Sequence, residues 1–197
     1  MNKPTVERLL NFHRMLLKFS EIERVIDIKR GGKLIQESDS EHSYNLALMA
    51  WYLASYFPEL SAPKVVLYAL VHDLVEVHAG DTFVFADQDT LDSKAAREAA
   101  AQKQLATEWP DFPDLHTAIR EYEDRSTPEA KFTYALDKFI PVLTIYLNDG
   151  YTWHDRNILL EQLDKEKRHK MSEYPELLTY WDKLYDLLKA APELFPA

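Results

Sequence analysis

Three side chains capable of chemistry crowd into the segment Val71-His72-Asp73-Leu74-Val75-Glu76 of this 197-residue chain. Their neighbours are apolar, and a charge in such company is costly unless it is paired or holds a metal. If the segment is helical, Glu76 lies four positions from His72 and three from Asp73, so all three converge on one face. An imidazole and two carboxylates form a donor set for a hard or borderline cation, with a base beside it. A His-Asp pair alone also fits a core histidine next to an arginine-paired aspartate, because buried polar groups usually find local partners.

Two distant residues extend the set. His42 lines up with Leu46, Met49 and Leu53 at spacings of 4, 7 and 11, which turns it toward a core from near a helix start. Asp137 falls mid-helix between Leu136 and Lys138, where an aspartate competes for backbone hydrogen bonds. A capped histidine and a structural salt bridge are the ordinary alternatives at these positions.

The elements that must position these residues read as helices. Val6, Leu9, Leu10, His13, Leu16 and Leu17 recur at helical spacing after Pro4-Thr5. Residues 24–37 carry no helical stripe, contain Gly31-Gly32, and read as a loop or short irregular hairpin. Ser38 stands three residues before Glu41, a capping box, and opens a helix that Pro58 ends. The next helix starts at Ser61-Ala62-Pro63 and runs through His72 to Gly80. Residues 81–91 read as a loop with Phe83 and Phe85 exposed. Helices follow over about 93–108 and 114–124, then a long one from Thr127-Pro128 to Asn148-Asp149-Gly150, kinked at Pro141. Two more cover about 153–170 and 175–190. The expectation is an all-α, single-domain bundle of about six to eight helices spanning 1–197. Its site core covers about 24–140, with the C-terminal helices of 151–190 packed on it.

Composition narrows the chemistry. Hydrophobic residues at 46% fill a sizeable core, and only 4 glycines disfavour a turn-rich β-sandwich. No apolar run is long enough for a membrane span, and the first residues lack a signal-peptide order, so a cytoplasmic protein is expected. With no cysteine, any metal must be held by His, Asp or Glu. The net charge of −10 and the absence of a Lys/Arg stripe argue against nucleic acid as a partner. A small phosphorylated ligand fits if a metal or an arginine supplies positive charge locally. Tyr146, Tyr151, Trp153 and Trp181, read as exposed, make a homodimer an expectation to test.

The combination of His42 in Ser40-Glu41-His42-Ser43, His72-Asp73, and Asp137 in Ala135-Leu136-Asp137-Lys138-Phe139 resembles the HD-domain superfamily of metal-dependent phosphohydrolases. The intervals of 30 residues from His42 to His72 and 64 from Asp73 to Asp137 suit that pattern. More narrowly, His72-Asp73-Leu74-Val75-Glu76-Val77-His78-Ala79-Gly80-Asp81-Thr82 is similar to the bacterial 5'-deoxynucleotidase branch. Arg24, 18 residues before His42, matches a phosphate-binding arginine of that branch. Val25 departs from it, because the branch carries a bulky aromatic beside the arginine.

The resemblance implies a single HD domain with His42, His72, Asp73 and Asp137 around one divalent ion, whether Mn, Co, Fe, Ni, Zn or Mg. It implies that Glu76 orients or deprotonates the attacking water, with Asp73 as its catalytic companion. Asp81 would reach a ribose hydroxyl and Arg24 would hold the phosphate. Arg30 and Lys33 are alternative phosphate partners, and His78 is a candidate for a second ion. The implied reaction is hydrolysis of a (deoxy)nucleoside 5'-monophosphate, a small phosphorylated substrate, to nucleoside and phosphate. Three alternatives stand beside it. A pyrophosphohydrolase needs more basic residues at the site than the sequence reveals. A di-iron oxygenase needs extra histidines between the second and last motifs, where only His78 and His116 stand. A non-catalytic nucleotide-binding module needs no catalytic acid.

Overall fold

Thr5 caps the first helix, α1 (Val6–Phe19), by accepting from the Arg8 N–H at 3.2 Å. The computed structural model describes residues 3–196. After α1 come two strands, β1 (Glu23–Arg30) and β2 (Lys33–Ser38), and then α2 (Asp39–Ala54) and α3 (Ala62–Val71). A short α4 (Glu76–Ala79) leads to α5 (Gln88–Glu108), α6 (Pro113–Glu123) and α7 (Pro128–Leu147). A short α8 (Tyr151–Asp155), α9 (Leu160–Met171), α10 (Pro175–Lys189) and a 3-10 turn at Pro192–Leu194 complete the chain. Among the described residues, eight helices have ten residues or more, and the architecture is mostly helical.

The segment 24–37 forms an antiparallel hairpin, the second of the two forms expected, with Arg30 opposite Lys33, Ile28 opposite Ile35, and an irregularity in register between Glu23 and Asp27. Gly31 and Gly32 both have positive φ, +57° and +77°, which a two-residue turn of this hand requires. β1 is fastened laterally to the body of the molecule. The Asp27 N–H donates to Thr152 Oγ1 at 2.9 Å, and the Lys29 N–H donates to Asn148 Oδ1 at 2.7 Å.

The capping box at the start of α2 is present. Ser38 Oγ accepts from the Glu41 N–H, and Glu41 Oε2 accepts from the Ser38 N–H at 3.0 Å. The single helix expected from residue 61 to Gly80 is interrupted. The chain leaves α3 after Val71 and makes tight turns, with Leu74 N–H on the Val71 carbonyl and Glu76 N–H on the Asp73 carbonyl. Adjacent side chains diverge on a regular helix. This turn instead brings the neighbours His72 and Asp73 to 2.9 Å.

Two apolar clusters flank the interruption. One joins α2, α3, α7, α9 and α10 through Leu46, Phe132, Leu136, Leu163, Leu177 and Trp181. The other joins α1, α5 and α6 through Phe19, Leu105, Trp109 and Ile119. Trp153 and Trp181 are fully buried, so they cannot form the exposed aromatic surface read from the sequence. Exposed aromatics lie instead on α2, at Tyr44, Trp51 and Tyr52. Phe83 and Phe85 are half-buried and pack on the first cluster. The helix expected over 153–170 is divided into α8 and α9, and α5 begins at Gln88, earlier than expected.

α7 continues through Pro141, which has no N–H to give the carbonyl of Asp137 four residues back. Gly150, after α7, has φ of +68°, and a Cβ there would stand 2.2 Å from the Leu194 carbonyl oxygen. Gly150→Ala is expected to destabilise the protein by about 2–4 kcal/mol, from the left-handed backbone and the displaced C-terminal turn. An unchanged urea midpoint would contradict this.

Candidate metal centre

His42 comes from the first turn of α2, His72 and Asp73 from the turn after α3, and Asp137 from the middle of α7. One donor atom from each lies within 4.8 Å of the others. His42 Nε2 is 2.9 Å from Asp137 Oδ1, and His72 Nε2 is 3.5 Å from the same oxygen and 2.9 Å from Asp73 Oδ2. His42, His72 and Asp137 are buried.

The hydrogen bonding of the imidazoles suits a cation. His72 Nδ1 is 3.0 Å from the Ala69 carbonyl, which only accepts, so Nδ1 carries the proton of the neutral ring. The lone pair of Nε2 then faces two carboxylate oxygens, and among the described residues this buried atom has no hydrogen-bond partner. Three electron-rich atoms around one point call for a positive charge between them. Without a metal a proton serves. Burial opposes charge on His72, yet Asp73 and Asp137 outweigh it and push its pKa up to about 10. His42 behaves oppositely, with burial and Arg24 lowering its pKa to about 4, so it stays neutral and available as a ligand. Its Nδ1 points toward Glu37 Oε2, 3.7 Å away, the carboxylate–histidine arrangement that orients a metal-binding imidazole. Burial opposes the Asp137 charge, but Lys138 and His72 hold this carboxyl well below the ordinary range. Lys138 Nζ sits 2.6 Å from Asp137 Oδ2.

A second group of acids lies alongside. Asp39, Glu76 and Asp81 bring carboxylate oxygens within 4.8 Å of one another. Burial, then Asp73, Asp39 and Asp81, push the Glu76 carboxyl up to about 12, and burial with Asp73 raises Asp39 to about 6. Arg24 is the counterion. Its Nη1 donates to Asp73 Oδ2 at 2.8 Å and to Asp39 Oδ1 at 3.3 Å, and its Nε lies 3.6 Å from Glu37. Burial opposes its charge, but the surrounding acids raise its pKa further still.

Four side chains from three separated segments thus meet with the donor set that the sequence pattern requires, and the HD domain profile matches residues 22–178. The chain belongs to the HD domain family. This HD domain is 35% identical over 132 residues to 5'-deoxynucleotidase HDDC2 of Bos taurus, an alignment covering 66% of this chain and 62% of that one. The HDDC2 protein of Homo sapiens is 33% identical over the same length, with 66% and 63% covered. The chain therefore spans under two thirds of the length of these curated relatives. A predicted metal-dependent phosphohydrolase from Magnetospirillum magnetotacticum MS-1 superposes with a TM-score of 0.82 at 29% identity, covering 97% of this chain and 96% of that one. The PH0347 protein from Pyrococcus horikoshii OT3 shares the fold, with a TM-score of 0.56 at 22% identity over 96% and 99% of the two chains.

A pocket of about 190 Å³ opens beside the centre of this HD domain. Arg24, Asp73, Glu76, Asp81 and Asp137 line its polar wall, together with Val25. Phe83, Phe85, Pro141, Ile145 and Trp153 line an apolar arm. The chain on either side of Asp81 is tied to α5 by Arg97, which donates to the Ala79 carbonyl at 2.8 Å and to Thr82 Oγ1 at 2.7 Å.

Other candidates from the sequence lie elsewhere. His78 is 3.1 Å from Glu108 and joins α4 to α5, so it is not directed at a second ion. Arg30 pairs with Glu41, and Lys33 is exposed at the hairpin turn. Neither lines the pocket. His116 bonds the Trp109 carbonyl at 2.7 Å. Sequence reasoning missed Glu37 and Asp39, which look like ordinary helix-start acids, and four lysines, Lys94, Lys138, Lys167 and Lys170, that line the pocket. The signal for Lys167 was present, since Leu163, Lys167 and Met171 form one buried stripe on α9.

Proposed function

We propose that this HD domain is a metal-dependent hydrolase of (deoxy)nucleoside 5'-monophosphates. The observation that carries the reading is the four-residue donor set opening onto a pocket with one acidic, one basic and one apolar wall. The names of the HDDC2 relatives and of the Magnetospirillum neighbour support it. His42, His72, Asp73 and Asp137 hold one divalent ion, and two carboxylates against two neutral imidazoles leave the ion formally neutralised. When bound, such an ion polarises a phosphoryl oxygen and lowers the pKa of a water beside it. His2Asp2 donors accept Mn, Fe, Co, Ni, Zn or Mg.

The chain's own groups supply the remainder. Glu76 lines the polar wall with Asp73 and, as the carboxylate that a cation in the neighbouring donor set would favour, takes the proton of the attacking water. Arg24 fixes Asp73 through Nη1 and, as a pocket-lining residue, directs its remaining donors at a phosphate oxygen. Asp81 accepts from a sugar hydroxyl. Phe83 and Phe85, edge to face with centroids 5.7 Å apart, give the base an aromatic surface that Val25 does not provide.

Pyrophosphohydrolysis is the second reading, and the pocket lysines favour it by supplying basic groups that the sequence did not reveal. One screen separates the two. Nucleoside mono- and triphosphates are incubated with the protein and each of several divalent ions, and phosphate and pyrophosphate are measured separately. Phosphate release from monophosphates is expected. Pyrophosphate from triphosphates alone would establish the second reading, and nucleotide binding without turnover would establish a non-catalytic module.

A further inference from the structure

Lys167 is the one buried lysine in the described structure. It is 6% exposed, lies on α9 where that helix packs against α7, and lines the pocket together with Lys138 and Lys170. Among the described residues it forms no ion pair or hydrogen bond, whereas Lys138 is held by Asp137, Lys170 by Glu166, and Lys94 by Glu98. A buried ammonium without a counterion is a cost that the fold could avoid with a methionine or leucine in the Leu163–Met171 stripe. Its retention in a cavity wall therefore calls for an anion that the protein itself does not contain.

We infer that Lys167 is a phosphate anchor of the pocket, gripping the phosphoryl group of the substrate from the α7–α9 side, opposite Arg24. The inference rests on the phosphomonoesterase reading for the identity of the anion, but the anchoring site is tested without turnover. The placement fits the charge distribution. The polar wall on the Arg24 side is dominated by acids, so a dianionic phosphoryl group placed against that wall alone would face Asp73, Glu76 and Asp81. The α7–α9 side offers cations, of which only Lys167 is free of a carboxylate partner among the described residues. Burial, reinforced by Lys138 and Lys170, lowers the Lys167 pKa to about 7, so the amine gains its full charge when an anion arrives.

The test is calorimetric titration of the Mn(II)-loaded protein with inorganic phosphate, comparing wild type, Lys167→Met and Lys165→Met. Lys165 is exposed on the same helix, so its replacement removes an equal charge outside the pocket. Lys167→Met is expected to fold, to keep the wild-type metal content, and to bind phosphate about tenfold or more weakly. Lys165→Met is expected to match wild type. Phosphate affinity within twofold of wild type in metal-replete Lys167→Met overturns the anchor, as does equal weakening by both variants. A loss confined to nucleoside binding, with phosphate binding intact, also overturns it and moves Lys167 to the base. If wild type binds phosphate through Lys167 but hydrolyses no monophosphate, the anchor stands and the hydrolase reading fails.

Discussion

Asp137→Ala is expected to lose metal and activity together. Asp137 Oδ1 lies within 3.5 Å of both histidine Nε2 atoms, so no other carboxylate occupies the same place in the donor set. Its removal also leaves Lys138 without the carboxylate 2.6 Å away. Loss of metal catalysis costs several kcal/mol of transition-state stabilisation, which corresponds to a drop in phosphate release of about a thousandfold or more. Metal analysis after gel filtration should find wild type near one ion per chain and the variant close to none. A variant that keeps the ion and most of its turnover would remove Asp137 from the centre.

Glu76→Gln separates chemistry from metal binding. Glu76 lies outside the four-residue donor set, so the variant should retain the ion while turnover falls by a factor of about 100 to 10,000. Stability should move the other way. In the folded, metal-free protein Glu76 keeps its proton up to about 12, because burial and then Asp73, Asp39 and Asp81 oppose its charge. The unfolded chain releases that proton near pH 4.3, the ordinary glutamate value. Above that pH the folded state binds the extra proton, so stability falls as pH rises. A glutamine side chain is neutral at every pH and escapes this penalty. Metal-free Glu76→Gln is therefore expected to melt above wild type at about pH 8 and to converge with it near pH 4. Wild-type turnover in the variant, or an unchanged melting difference across that range, would refute the role given to Glu76.

The candidate metal centre was legible in the sequence because its four donor residues occupy positions where their chemistry is out of place. Asp137 falls between buried residues of α7, and His42 aligns with Leu46 and Leu53 on the inward face of α2. The capping box at Ser38 and Glu41 placed that helix start correctly. Elsewhere, local pattern was overridden by tertiary contacts. Apolar continuity from Val65 to Val75 concealed the break at His72, since tight turns at these positions keep the same residues buried. Trp153 and Trp181 looked like surface aromatics, yet Trp153 stacks on Phe195 and Trp181 Nε1 donates to Asp164 at 2.7 Å inside the C-terminal packing. In the sequence Lys167 sits unremarkably among Lys165, Arg168 and Lys170. Only the packing of α9 on α7 turns it inward.

The lateral fastening of β1 has a consequence for how molecules of this protein meet one another. A two-stranded sheet ordinarily presents two rows of unpaired main-chain groups, each able to recruit a strand from another molecule. Here the outward amides of Asp27 and Lys29 are already occupied by Thr152 and Asn148, so the β1 margin is closed to such recruitment. Intermolecular strand addition is thereby restricted to the short β2 margin, which begins at a lysine.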